Sequence, residues 1–385
     1  MPYSVSAKAL TGLCLSLALV LGGCGGGGGG SASGGGGGGS VTATATAAPT
    51  VTTSAQLNGA TIVSLASATA GAFIYYTVDG SAPTLTSQRY EGPFLVAANV
   101  TVKAMATAGG LTASTVTSQA FAPNIAANTL VWSDEFANAG ASPIAPNAAI
   151  WGYDTGNSGF GNHELETYCA ANSSTAPCDA ANPNVYVGTD GLLHIVARKP
   201  GAGVYTSARL KTQGLFSFQY GRLEVRARVP EAQGFWPAVW TLGNNINTVN
   251  WPASGEQDIL ERVNGPTSPD TNSGSVHGTG FTGVNIGTVY NFSAGDSASF
   301  WHTYGMIWKP GSVAYYIDDP AHPYTTFTTT SLAGLPGAVW PFDAGQSNFI
   351  IMNLAVGGDW PGPPDGTTPF PSEMQVDYVR LYTTN

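Results

Sequence analysis

The sequence predicts an all-β protein, a large two-sheet sandwich of the jelly-roll kind preceded by a small Ig-like β-sandwich. Three observations predict it. Charged residues are only 9% of the 385 positions, against about 25% in an ordinary soluble domain, so the polar faces of helix bundles or coiled coils cannot be built. The 51 glycines, 25 prolines and 10% aromatic residues suit a chain of many turns. Short apolar runs with period two follow one another without helical periodicity. The length predicts two domains, and a hydrophobic share of 43% supplies a core. A net charge of -10 leaves no basic stripe for phosphates, which excludes nucleic acid as a partner.

Residues 1–24 have the pattern of an export signal, with Lys8 followed by an apolar run from Ala9 to Leu21. That run is too short for a membrane-spanning helix, which needs about 20 residues. It ends in Leu21-Gly22-Gly23-Cys24, which resembles the lipobox of bacterial lipoproteins. The resemblance implies cleavage before Cys24, lipidation of that residue, and a place on the outer membrane or cell surface, with the membrane touched only through the anchor. Residues 25–48, rich in glycine and serine, are expected to be a flexible tether. Two cysteines remain, Cys169 and Cys178, and export makes a disulfide between them the expected pairing.

Residues 49–123 carry the runs Phe73–Val78 and Val100–Met105, with Asp79-Gly80 as a hairpin signal after the first. They predict the small sandwich. The stretch YYTVDGSAPTLTSQRYEGPF resembles the chitobiase/β-hexosaminidase carboxyl-terminal type of β-sandwich. Tyr75, Tyr76 and Tyr90 are expected to pack within it rather than stack on sugar, and the domain is expected to act as a spacer.

Residues 130–385 form the second domain. Gly221 to Val229 alternates, with Arg222, Glu224, Arg226 and Arg228 on one face and Leu223, Val225, Ala227 and Val229 on the other. Further strands are expected at Leu192–Ala197, Tyr304–Trp308, Val313–Ile317 and Phe349–Val356, with Pro310-Gly311 as a turn. Many antiparallel strands with short turns imply the two-sheet sandwich.

Within Gly255–Val263, three acids fall in six positions: Glu256, Asp258 and Glu261. In a regular strand Glu261 has the wrong parity to share a face with the other two. A one-residue bulge around Ile259-Leu260 brings it to their side. A solvated acidic edge would have the same spacing. The chemical alternative is glycoside hydrolysis with retention, which needs one carboxylate to attack the anomeric carbon and a carboxylic acid about 5 to 5.5 Å away to protonate the leaving oxygen. Crowding would keep one of the acids protonated near neutral pH.

The context resembles glycoside hydrolase family 16 in its laminarinase-like members. The matching segments are Leu130–Phe136, Gly161–Tyr168, Tyr205–Thr212, Tyr220–Ala227, Gly234–Trp240, Trp251–Glu256, Asn353–Gly358 and Val376–Arg380. The resemblance implies a concanavalin-like jelly roll and an endo-β-1,3-glucanase acting on β-glucan, with Glu256 as nucleophile, Asp258 as its helper, Glu261 as acid/base and His277 in support. Trp236, Trp240 and Trp251 would offer faces to sugar rings, Trp240 being the one most expected to sit in the core. Asn162 and Glu164 would hydrogen-bond sugars on the nonreducing side. Arg222 and Arg226 would touch substrate or balance the acids. No cofactor is needed for catalysis, but a structural calcium ion is implied at Glu135, the Gly191 main chain and Asp377. Gln257 departs from the pattern, because an amide there must find buried partners. A mixed-linkage β-1,3-1,4-glucanase is the nearest alternative, agarase or carrageenase activity a more distant one, and a silent glycan-binding surface protein a third. A monomer is expected.

Overall fold

The computed structural model describes residues 44–263, 270–283, 286–343 and 345–384. The expected signal, lipobox and most of the tether lie outside these residues. Thr44 to Ala48 are described, and they already belong to the small sandwich. Ala45 bridges Thr112, and Thr46, 3% exposed, takes a hydrogen bond partner in Thr112. The folded chain therefore starts before residue 49.

The small sandwich has a three-stranded sheet (Thr50–Ala55, Thr61–Ala66, Phe94–Val96) and a four-stranded one (Gln88–Arg89, Phe73–Thr77, Val100–Thr107, Thr117–Phe121). Alternation in Val100–Thr107 buries Val102, Ala104 and Ala106, and Tyr76 stacks on Phe94 at 4.8 Å between ring centroids. Tyr76 is thus a packing residue, as expected. The tight hairpin expected at Asp79-Gly80 is not formed. Phe73–Thr77 pairs with Gln88–Arg89 across a wide loop, inside which the Asp79 carboxylate accepts the Ser81 N–H and hydroxyl. A local side-chain turn has displaced the hairpin turn.

The small domain packs directly against the large one. Leu95 N–H donates to the Ser217 carbonyl at 2.9 Å, Ser217 Oγ to Pro93 O at 3.0 Å and Asn58 Nδ2 to Leu130 O at 2.8 Å. Ala60 joins the large domain's core, with Ile62, Leu95 and Ala97 packed against it. Backbones meet so closely that a Cβ added to Gly92 would stand 2.8 Å from Gly214 Cα.

The large domain is the expected sandwich. Its inner sheet has seven strands, β1 (Gly152–Asp154), β2 (Arg209–Lys211), β3 (Phe235–Gly243), β4 (Glu256–Glu261), β5 (Thr271–His277), β6 (Gly287–Asn291) and β7 (Asn348–Val356), in the order β6-β5-β4-β3-β7-β2-β1. The ten-stranded outer sheet includes Leu193–Gly201, Gly221–Arg228, His302–Lys309, Ser312–Ile317 and Ser372–Tyr382. Leu223, Val225 and Ala227 from the outer sheet and Val239, Ile350, Met352 and Leu354 from the inner one fill the space between, all fully buried. β7 is buried on both faces. Its Phe349 and Ile351 join Leu242 and Trp240 in a separate apolar patch on the side of the inner sheet away from the core.

Candidate active site

β4 lies between β3 and β5, so every side chain on its outward face has neighbours on both sides. Against β3 the register pairs Leu242 with Glu256, Thr241 with Gln257 and Trp240 with Asp258, then resumes with Val239 opposite Leu260 and Ala238 opposite Glu261. Ile259 is the extra residue of a bulge. Both Ile259 and Leu260 enter the core, at 1% and 0% exposure, and Glu261 returns to the face of Glu256 and Asp258. Gln257 points inward, where its Oε1 accepts from Thr241 Oγ1 at 2.8 Å and Asn348 Nδ2 at 3.2 Å. That satisfies the acceptor side of the buried amide.

The acids are held by donors from four directions. His277, opposite Glu256 on β5, places Nε2 2.9 Å from Asp258 Oδ2 and 3.7 Å from Glu256 Oε1. Ser275 Oγ donates to the same Asp258 oxygen at 2.5 Å. Trp251 Nε1 donates to Glu256 and Trp236 Nε1 to Glu261, each at 3.1 Å. One indole thus marks each of the two glutamates.

Burial, then the charge of Asp258, pushes the Glu256 carboxyl up to about 8, while His277, Arg209 and the Trp251 N–H favour its anion. The same two causes hold Glu261 well above the ordinary carboxylate range, with fewer groups opposing them. The two glutamates differ in what supports their anions: His277, Arg209 and the Trp251 N–H at Glu256, but only His277 and the Trp236 N–H at Glu261. Burial works against a charged His277, but Asp258, Glu256 and Glu261 outweigh it and lift the ring to about 9.

A polar chain extends the site across β3 and β7. Asn162 Nδ2 donates to Glu164 Oε1 (3.2 Å), Tyr168 Oη to Glu164 Oε2 (2.7 Å), Asn353 Nδ2 to Tyr168 Oη (3.3 Å) and Trp240 Nε1 to Asn353 Oδ1 (2.8 Å). Trp240 faces Asp258 across the ladder, so Asn162 and Glu164 connect to the acid face.

Residues 172–380 match the family Glycosyl hydrolases family 16, over half of the chain. The chain belongs to that family. Residues 52–118 of the family 16 enzyme match the Chitobiase/beta-hexosaminidase C-terminal domain. It is 39% identical over 264 residues to a Beta-glucanase of Rhodothermus marinus, covering 66% of this chain and 84% of that one. It is 34% identical over 282 residues to Glucan endo-1,3-beta-glucosidase A1 of Niallia circulans, covering 68% of this chain but 38% of that longer one. Among solved structures it resembles the laminarinase catalytic domain of Thermotoga maritima, with a TM-score of 0.56 and 38% identity over 67% of this chain and 98% of that domain.

The expectations for the two arginines and for Trp240 are corrected in the family 16 enzyme. Arg222 lies on the outer sheet, ion-paired with Glu224 and 4.0 Å from the Tyr382 ring, and Arg226 on the same strand pairs with Asp377. Neither is on the sheet that carries the acids. The arginine that is there is Arg209 on β2, 4.7 Å from the Trp240 ring and paired with Asp154 at 3.0 Å. Trp240 is not core: its ring stands on the outward face with Arg209. At the calcium positions Glu135 makes a two-pronged pair with Arg380 at 2.9 and 2.8 Å and Asp377 pairs with Arg226. No calcium role is derived. The disulfide Cys169–Cys178 is formed. Its excursion leaves Tyr168 in contact with Glu164, so the polar chain survives.

Trp360 escaped sequence reading. It is 54% exposed and stands edge-on to Trp236 at 5.5 Å, and its setting between Asp359 and Pro361 just beyond Gly357-Gly358 was the available signal. Glu166 also escaped it: fully buried, it accepts the Val356 N–H at 2.7 Å, and burial followed by the Glu164 charge pushes its carboxyl well above the ordinary carboxylate range.

His277 offers a direct test of the electrostatics. Its Nδ1 accepts the Gly283 N–H at 3.1 Å, which a proton on Nδ1 would forbid. Below about 9 the charged ring therefore pairs with Asp258, and above it the neutral ring accepts the Gly283 N–H. Because the folded value is raised, this ion pair's contribution to stability is complete below the ordinary histidine range near 6.5 and is lost as pH rises through about 9. In an NMR titration the His277 ring and the Gly283 amide are expected to shift together with a midpoint near 9. A midpoint near 6.5, or a Gly283 amide that stays still, would contradict this assignment.

Proposed function

We propose that the family 16 enzyme is an endo-acting β-1,3-glucanase that cleaves laminarin-type β-glucans with retention. The bulged strand carries this reading: it presents Glu256, Asp258 and Glu261 on one face, with an indole on each glutamate. Glu256 attacks the anomeric carbon as Glu261 gives its proton to the departing glycosidic oxygen, forming a glycosyl-enzyme ester. Glu261 then takes a proton from water, which attacks the same carbon and releases Glu256. Asp258, fixed by Ser275 and His277, steers the nucleophile. Trp251 and Trp360, half-exposed, offer apolar faces to the C–H groups of pyranose rings. The reaction requires two carboxyl groups and a water.

The names of the Niallia and Thermotoga proteins support the β-1,3 preference. The scarcity of charge fits a neutral polysaccharide and speaks against sulfated galactans. The test is a panel of laminarin, curdlan, lichenan and agarose with linkage analysis of the products. Oligosaccharides from laminarin with newly exposed β-1,3 reducing ends are expected. Preferential cleavage of lichenan would move the assignment to mixed linkage, and no cleavage of any would leave a glycan-binding protein.

Export as a lipid-anchored monomer is part of the same proposal. The Leu21–Cys24 motif and the disulfide support an oxidising compartment outside the cytoplasm. Palmitate labelling that disappears in Cys24→Ala is the check. Among the described residues no helix is long and apolar enough to cross a membrane.

A further inference from the structure

The bulge that aims Glu261 creates a backbone problem. The ladder between β4 and β5 runs through Glu256–His277, Gln257–Val276 and Asp258–Ser275 and then stops. Beyond it, main-chain groups of Ile259 to Glu261 on that edge leave the ladder where the strand is largely buried, and an unpaired peptide group there is costly. One side chain meets them. Asn272 on β5, 1% exposed, accepts the Glu261 N–H on Oδ1 at 3.1 Å and donates from Nδ2 to the Ile259 carbonyl at 3.1 Å. The orientation of its amide is dictated by those backbone partners, since an N–H needs an acceptor and a carbonyl needs a donor. Nδ2 also donates to Tyr324 Oη at 3.2 Å, which ties the amide to a side chain of the loop before Thr325–Thr328.

We propose that Asn272 is a positioning residue for the acid/base, its carboxamide clamping the bulge so that Glu261 points at the glycosidic oxygen. The inference rests on Glu261 being that acid/base. Asn272 touches no substrate. It acts on proton delivery because it holds both the residue that is inserted and the residue the insertion turns. Loss of the clamp lets the bulge relax along β4, and a shift of about 1 Å in a reacting group is enough to cost up to roughly 100-fold.

The readout is leaving-group dependence, which a general loss of structure does not alter. A β-1,3-glucan needs its departing sugar protonated, whereas a β-linked laminari-oligosaccharide of 2,4-dinitrophenol departs without help. For Asn272→Ala and the milder Asn272→Ser, kcat/KM on laminarin is expected to fall at least about 10-fold further than on the dinitrophenyl substrate. The ratio of the two rates is independent of how much enzyme is folded, so partial unfolding cannot mimic the effect. Equal losses on both substrates, or no loss on either, would overturn the proposal. Glu261→Ala, run alongside, separates the two layers. If it shows the same selectivity and Asn272 variants do not, the clamp is wrong; if Glu261→Ala itself shows none, the acid/base assignment is wrong.

Discussion

Glu256→Ala is expected to lower the hydrolysis of laminarin by on the order of 10⁴-fold or more, the scale seen when a covalent nucleophile is removed. The argument is geometric and electrostatic together. Glu256 sits on the outward face of a central strand, next to the Trp251 N–H, the His277 ring and Asp258, and its anion has more support than that of Glu261. Without it the first displacement has no attacking group, and no other carboxylate on the strand can replace it, because Asp258 is engaged by Ser275 and His277. Azide supplies the missing attack in the vacated space. The expected product from Glu256→Ala and the dinitrophenyl substrate is an α-glycosyl azide, formed by a single inversion. A β-azide would mean that Glu256 and Glu261 have exchanged roles.

Glu261→Ala is expected to act differently. On laminarin the loss should be about 10²- to 10⁴-fold, the usual range for an acid/base, and the pH profile should lose its alkaline limb. The sign follows from the raised Glu261 carboxyl. Wild-type activity rises as Glu256 gives up its proton, and falls at higher pH as Glu261 loses the proton it must donate. Removing Glu261 removes only the second of these. With azide this variant should yield the β-glycosyl azide, because the glycosyl-enzyme still forms. An alkaline limb that persists in Glu261→Ala would assign that titration to another group, with His277 the nearest candidate.

Much of the site was legible because strands keep count. The parity conflict of Glu261 announced a bulge at Ile259-Leu260, and the inward turn of Gln257 followed from the same count. Parity, however, says which face a residue takes and not which sheet its strand joins. Arg222 was placed correctly on the polar face of its strand and wrongly near the acids, because that strand lies in the outer sheet. Trp240 was misjudged for a related reason: β7 is apolar on both faces, so an apolar neighbourhood did not mean the core. Asn353 and Arg209 matter through partners on strands far away in sequence, and Asn272 through a bulge on the neighbouring strand; no local pattern carries such pairings. At Asp79-Gly80 the dipeptide was right for a turn and wrong for a hairpin, since the Asp79 side chain bonded to Ser81 first.

The docking of the small sandwich has a consequence for how such a chain can be inherited. Glu91 of that domain receives a hydrogen bond from Thr248 Oγ1 at 3.3 Å, and Thr248 belongs to the segment that leads to Trp251 beside the nucleophile. The large-domain surface that Ala60, Ile62, Leu95 and Ala97 cover would lie bare if their domain were exchanged for an unrelated one. The two halves are thus not interchangeable beads on a string. A lineage that exchanged the first domain would have to remodel the rim of the second.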